Sequence, residues 1–117
     1  MNYWIVGANW DGDNQEEDFY LRGYWEMGYD DKDKPEYTKR RGKIKKNDRI
    51  AVKARGGKAA KTISIKAIGI VKDVAEGKVY IDWVLKGIDR KVHCKNYFGT
   101  IHGPVTDKAW LNEAFCL

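Results

Sequence analysis

Thr62-Ile63-Ser64-Ile65-Lys66-Ala67-Ile68-Gly69-Ile70-Val71-Lys72-Asp73-Val74 is the clearest strand in the chain. Simple alternation puts Ile63, Ile65, Ala67, Gly69 and Val71 on one face, and Ser64, Lys66, Ile68, Ile70 and Lys72 on the other. The centre is apolar on both faces, which predicts a strand inside a sheet. Ala75-Glu76-Gly77 reads as a hairpin turn, and the residues from Lys78 to Leu85 as the returning strand. Two short strands follow, one from Lys91 to Cys94 and one from Thr100 to His102. Upstream, the stretch from Arg49 to Ala54 alternates. The stretch from Tyr3 to Ala8 is rich in aromatic and β-branched residues; both read as strands.

Between these, Asn9-Trp10-Asp11-Gly12-Asp13-Asn14 reads as a turn. Gln15 to Arg22 fits a short helix, with Asp13 or Asn14 as N-cap, Glu16, Glu17 and Asp18 in its first turn, and Gly23 at its end. Residues 24–36 read as a loop, the run Lys39-Arg40-Arg41-Gly42-Lys43 as the approach to a turn, and the stretch from Arg55 to Lys61 as a flexible basic loop. After Pro104, Thr106 to Phe115 fits a closing helix capped by Thr106, with Trp110, Leu111 and Phe115 on one side. The expected fold class is α+β: a five- or six-stranded, mostly antiparallel sheet or small barrel with two or three short flanking helices.

A chain of 117 residues fits one domain, expected here over residues 1–117. The longest apolar stretch, Ala67 to Val71, is far short of the roughly 18–20 residues of a membrane helix. The first six residues lack the basic and apolar regions of a signal peptide. Two cysteines are too few for a disulfide framework. A cytoplasmic protein is expected. Charge is unevenly spread: residues 1–36 carry three basic against ten acidic side chains, and residues 37–117 carry nineteen against seven. The net values of −7 and +12 sum to +5, and the isoelectric point is 9.1. Such a basic portion suits a polyanion, although lysines also solubilise sheets and protect their edges.

Enzyme chemistry finds little support in the spacing. His93-Cys94 and His102 with Cys116 match no zinc spacing, and no metal or cofactor is expected. Cys94 or Cys116 paired with a histidine would give a hydrolase nucleophile, but Cys94 as a small core side chain and Cys116 as a thiol near the terminus is the favoured reading. Gly56-Gly57-Lys58 lacks the full phosphate-loop spacing. The aromatic side chains say more. Trp10 lies between Asn9 and Asp11 in turn-forming sequence, and Trp25 and Tyr29 bracket Gly28 ahead of Asp30. A flipped base is held between aromatic faces and read at its polar edge by such groups. Large aromatics also anchor small cores. Trp10 is the best cage candidate, and Trp83 the weaker one, because its expected face is shared with the apolar Val79, Ile81 and Leu85.

The order of segments resembles the EVE branch of the PUA-like superfamily, which includes YTH and ASCH domains. The resemblance lies in Tyr3-Trp4-Ile5-Val6, Trp25-Glu26-Met27-Gly28-Tyr29, Lys45-Lys46-Asn47-Asp48-Arg49-Ile50 and Ile68-Gly69-Ile70-Val71-Lys72-Asp73-Val74. The segment from Tyr3 to Asp13, with Trp25 to Lys32 after it, is similar to N-terminal modules fused to McrB-type motor subunits of modification-dependent restriction systems. Asn47 stands where the family's turn has Gly, and Ala8-Asn9-Trp10 replaces its Ser-Glu-Pro. The resemblance implies a PUA-like barrel with a pocket for a modified base, lined by Asn9, Trp10, Trp25, Tyr29 and Asp30, with Trp83, Thr100 and His102 as further candidates. It implies phosphate contacts from Lys39, Arg40, Arg41, Arg55, Lys58 and Lys61. The expectation is a non-catalytic reader of modified, methylated DNA that flips the base. Its partner would be duplex DNA, together with a motor or nuclease part of a restriction system. The alternatives are a PUA-like RNA-binding module, a small hydrolase using His102 or Cys94, and a protein-interaction module with a basic surface.

Overall fold

The structure is a computed structural model that describes residues 1–28, 33–56 and 59–116. In chain order its elements are β1 (Tyr3–Gly7), β2 (Asn9–Trp10), β3 (Asp13–Asn14), α1 (Glu16–Arg22), β4 (Tyr24–Glu26), α2 (Pro35–Arg41), β5 (Arg49–Arg55), β6 (Thr62–Ala75), β7 (Lys78–His93), β8 (Ile101–His102) and α3 (Lys108–Phe115). Six strands form one curled, half-barrel sheet in the order β4-β7-β6-β5-β1-β8, and β2 and β3 form a separate hairpin. Every neighbouring pair in the large sheet is antiparallel except β1 with β5, which run parallel with Tyr3 opposite Arg49 and Gly7 opposite Lys53. The α+β reading with a mostly antiparallel sheet therefore holds.

Both faces of the sheet are covered, which explains why the centre of β6 is apolar on both sides. On one face Trp4, Val6, Ile50, Val52, Val71 and Ile81 pack with Phe19 of α1 and Trp25 of β4. On the other, Ile5, Ala51, Ile63, Ile65 and Ile68 pack beneath Trp110, Leu111 and Phe115 of α3. Each fully buried large side chain contributes roughly 1.5–3 kcal/mol. The helix α3 is capped by Asp107, one residue later than expected, through its carboxylate accepting from the Trp110 N–H at 3.1 Å. Such a cap contributes about 1 kcal/mol.

Several register irregularities shape the sheet, and two of them redistribute its core side chains. Opposite Val52 and Lys53, β6 places Ala67 and Ile65, so Lys66 is an extra residue on β6. A bulge of this kind bends a strand and exchanges its faces. Ile63 and Ile65 thus lie with Ile68, while Ala67 and Val71 lie on the opposite face, correcting the single stripe read from the sequence. A second irregularity leaves Val84 between residues paired with Ile68 and Gly69, and Leu85 consequently packs on the opposite side from Trp83.

The loop expected over residues 24–36 begins instead with β4, whose Trp25 pairs with Val79. The basic run lies in α2, with Pro35 in its first turn and no buried residue. Pro pre-sets the first helical φ, but a helix with no buried face leaves no apolar period to read. The strands expected from Lys78 and from Lys91 join as β7. At the start of β5, the buried Asp48 carboxylate accepts from the Asn2 N–H (2.9 Å), the Trp4 indole (2.9 Å) and the Lys45 N–H (3.0 Å), tying the beginnings of β1 and β5 together.

Candidate functional site

The parallel pairing of β1 and β5 brings the ends of both strands to one edge of the sheet. A recess of about 430 Å³ opens there, lined by Gly7, Asn9 and Asp11 on one side and by Lys53, Arg55 and the segment from Phe98 to Thr100 on the other. Lys53 is 6% exposed. Among the described residues its ammonium has no hydrogen-bond or ion-pair partner. Burial, followed by the Arg55 charge, pulls its pKa down to about 8. Arg55 lies over the Phe98 ring, 5.0 Å from its centroid.

His102 stands beside this recess on β8. Its Nε2 accepts from the Gly99 N–H at 2.8 Å, and its ring tilts against Tyr97 with centroids 5.1 Å apart. Burial lowers its pKa to about 4, helped by the charges of Lys53 and Arg40. The imidazole is therefore neutral at pH 7, as its acceptor role requires.

A second recess, about 380 Å³, shares Asn9 and Asp11 with the first and is otherwise lined by Trp10, Gly28, Asp33 and Lys34. The β2–β3 hairpin forms its rim. Asn9 Oδ1 accepts from the Gly12 N–H at 2.6 Å, and Gln15 N–H donates to the Ala8 carbonyl at 2.7 Å, which fixes the hairpin to the end of β1. Trp10 packs edge-on against Phe19, with centroids 5.9 Å apart. Its indole N–H is buried and has no acceptor among the described residues. Gly28 sits so close to the pyrrole side of this ring that a Cβ there would overlap it.

Of the residues expected at a base pocket, Asn9, Trp10 and Thr100 line these recesses, with His102 alongside. Trp25 does not: it is fully buried, and its indole donates to the Gly7 carbonyl at 2.8 Å. It holds the end of β1 from behind and has no face free for stacking. Trp83 lines neither recess; its indole donates to the Phe19 carbonyl at 2.9 Å and its ring meets Tyr20, which locks α1 onto β7. Tyr29, Asp30 and Lys58 lie outside the described residues.

Among the expected phosphate contacts, Arg55 is exposed at the first recess and Lys39 is exposed on α2. Arg40 donates to the Ile101 carbonyl at 2.9 Å, joining α2 to β8. Arg41 is half-buried beside Gly77, and Lys61 is exposed on the approach to β6. Lys53 and Phe98 were not read from the sequence as site residues. The signal for Lys53 was its place in the alternation of β5, a cation where Ala51 marks a covered face.

For nucleophilic chemistry, His93 Nδ1 accepts from the Lys95 N–H at 3.1 Å, and His102 accepts from Gly99. Cys94 and Cys116 are free thiols. Among the described residues no three His, Cys, Asp or Glu side chains gather as a metal-binding group, and no helix is long and apolar enough to cross a membrane. Comparison of the chain with protein-family models, with curated proteins and with solved structures found no match. The functional reading therefore rests on the residues of the site.

Proposed function

We propose that this domain is a non-catalytic nucleic-acid-binding module that accepts a modified base, in DNA, in the recess beside Trp10. The observation that carries this reading is the meeting of an aromatic ring, an amide and a carboxylate (Trp10, Asn9, Asp11) with a cationic recess at one sheet edge. An extruded base needs a face to pack on and polar groups at its edge. Its flanking phosphates need cations outside the pocket, which Arg55 and the basic turn of α2 supply. The volume of the Trp10 recess falls within the range of about 300–1,000 Å³ usual for small-ligand sites. A base entering past Gly28 would also bring an acceptor to the Trp10 indole N–H. Carboxylates accept hydrogen bonds from exocyclic amines, so Asp11 and Asp33 favour a base derived from adenine or cytosine.

The test is a titration with labelled duplexes differing at one base: unmodified, N6-methyladenine, 5-methylcytosine and 5-hydroxymethylcytosine, each at two salt concentrations. One modification is expected to bind selectively. Trp10→Ala should erase that selectivity and leave the salt-dependent background. Equal loss for modified and unmodified duplex would remove Trp10 from the pocket. Flat binding across the panel, with single-stranded RNA the better competitor, would overturn the DNA-base reading.

A further inference from the structure

We propose that Lys53, assisted by Arg55, forms an oxyanion seat in the larger recess that takes a phosphate group of the bound nucleic acid. This rests on the nucleic-acid reading above for the source of the phosphate, and on the geometry of the recess for the seat itself.

A lysine on a central strand ordinarily either reaches solvent or pairs with a carboxylate. Lys53 is 94% buried, its ammonium meets solvent in the recess it lines, and no described residue accepts from it or pairs with it. Its ammonium ends beside Gly7, where a Cβ would lie 3.5 Å from Nζ, so the bare glycine leaves that side of the charge uncovered. Arg55 follows two residues later on the same strand and lines the same recess, held over Phe98. The two cations therefore face one cavity, and among the described residues neither has a carboxylate within ion-pair distance. Asp11 and Glu16 also line this recess, but neither pairs with Lys53; Glu16 accepts from the Tyr20 hydroxyl at 3.1 Å. His102, the other titratable group alongside, stays neutral and has its Nε2 occupied by the Gly99 N–H. The shared lining of Asn9 and Asp11 joins this seat to the Trp10 recess, so one nucleotide can place its base in one and a phosphate in the other.

Two titrations of the whole chain test this. The first measures duplex binding by the wild type, Lys53→Met and Lys53→Arg at several salt concentrations. Lys53→Met should weaken binding by about tenfold or more and lower the salt slope by about one, equally for modified and unmodified duplex. Lys53→Arg should remain within about threefold of wild type. The second follows the amide resonances of Gly7 and Gly99 during addition of inorganic phosphate. Saturable shifts in the wild type that vanish in Lys53→Met are expected. Duplex binding that does not depend on Lys53 would overturn the seat and leave the base reading standing. Phosphate shifts that depend on Lys53, in a protein that binds no nucleic acid, would uphold the seat and overturn the base reading. Phosphate shifts identical in Lys53→Met would overturn the seat outright. Thermal melting of each variant confirms that it is folded.

Discussion

Replacing Lys53 with methionine should make the protein more stable at neutral pH, and the gain should shrink as pH rises. Burial, then the nearby Arg55 charge, lowers the lysine pKa from 10.5 to about 8. A tenfold change in proton affinity is about 1.4 kcal/mol, so keeping this ammonium charged in the folded chain costs about 3 kcal/mol relative to the unfolded one. At pH 7 both states hold the proton and the whole penalty is present. From about pH 8 upward the folded protein releases its proton while the unfolded chain keeps it to about pH 10.5, so the unfolded state binds more protons and stability rises with pH. The penalty falls to about 2 kcal/mol at pH 9 and to about 1 kcal/mol at pH 10. Methionine fills a similar volume without a charge. Lys53→Met should therefore exceed the wild type by about 2–3 kcal/mol at pH 7, roughly 8–12 °C in Tm, and the gap should close by more than half by pH 10. Urea melts of both proteins at pH 7, 8, 9 and 10, read by tryptophan fluorescence, measure this. Taking the difference between them cancels groups that titrate alike in both. A methionine variant less stable at pH 7, or a gap that ignores pH, would refute the reasoning that an unpaired charge is buried there.

Two further outcomes follow from the same network and from the opposite end of β5. His102 should titrate near pH 4 by imidazole NMR, and its pKa should rise in Lys53→Met, because the Lys53 charge is the second cause of its depression after burial. Because the unfolded chain takes up that proton first, near pH 6.5, His102 removes stability as pH falls from 6.5 toward 4; a resonance titrating at 6.5 would contradict this. Asp48→Ala leaves the Asn2, Trp4 and Lys45 N–H donors without their acceptor and should cost about 3 kcal/mol. Asp48→Asn keeps one acceptor oxygen and should cost about half as much by urea denaturation; a neutral Asp48→Ala would show that the carboxylate does not hold β1 to β5.

The strands with strong alternation and α3, with its apolar side, were legible because periodicity reports burial directly, whereas α1, which buries only Phe19, was legible from its acidic first turn and the glycine that ends it. The helix α2 was not, because it buries no residue, and β4 was not, because three residues are too few to show a period. Alternation also misled where it was broken. Nothing in Ile65-Lys66-Ala67 announces a bulge, yet that one extra residue decides which isoleucines share a core. At the site, Trp10 was legible because polar, turn-forming neighbours set it apart from a core strand. Trp25 sits among similar residues but pairs with β7, and only that long-range pairing buries it.

Lys53 was hidden for a related reason, and the topology explains how it comes to matter. Antiparallel neighbours send successive strand ends to opposite edges. The one parallel pair, β1 with β5, sends both C-terminal ends to the same edge, in a register that sets Gly7 against Lys53. Because β1 continues into the β2–β3 hairpin, that edge also receives Asn9 and Trp10. Because β8 is antiparallel to β1 and starts opposite Val6, it receives the segment from Phe98 to Thr100 as well. Three segments distant in sequence thus converge on a place where the backbone is stripped of side chain at Gly7 and a lysine is left uncompensated. A position that served stability alone would favour an apolar residue, as its neighbours Ala51 and Val52 do. The charge at Lys53 is intelligible if its partner arrives from outside the chain, and the partner we propose is a phosphate beside a base in the Trp10 recess.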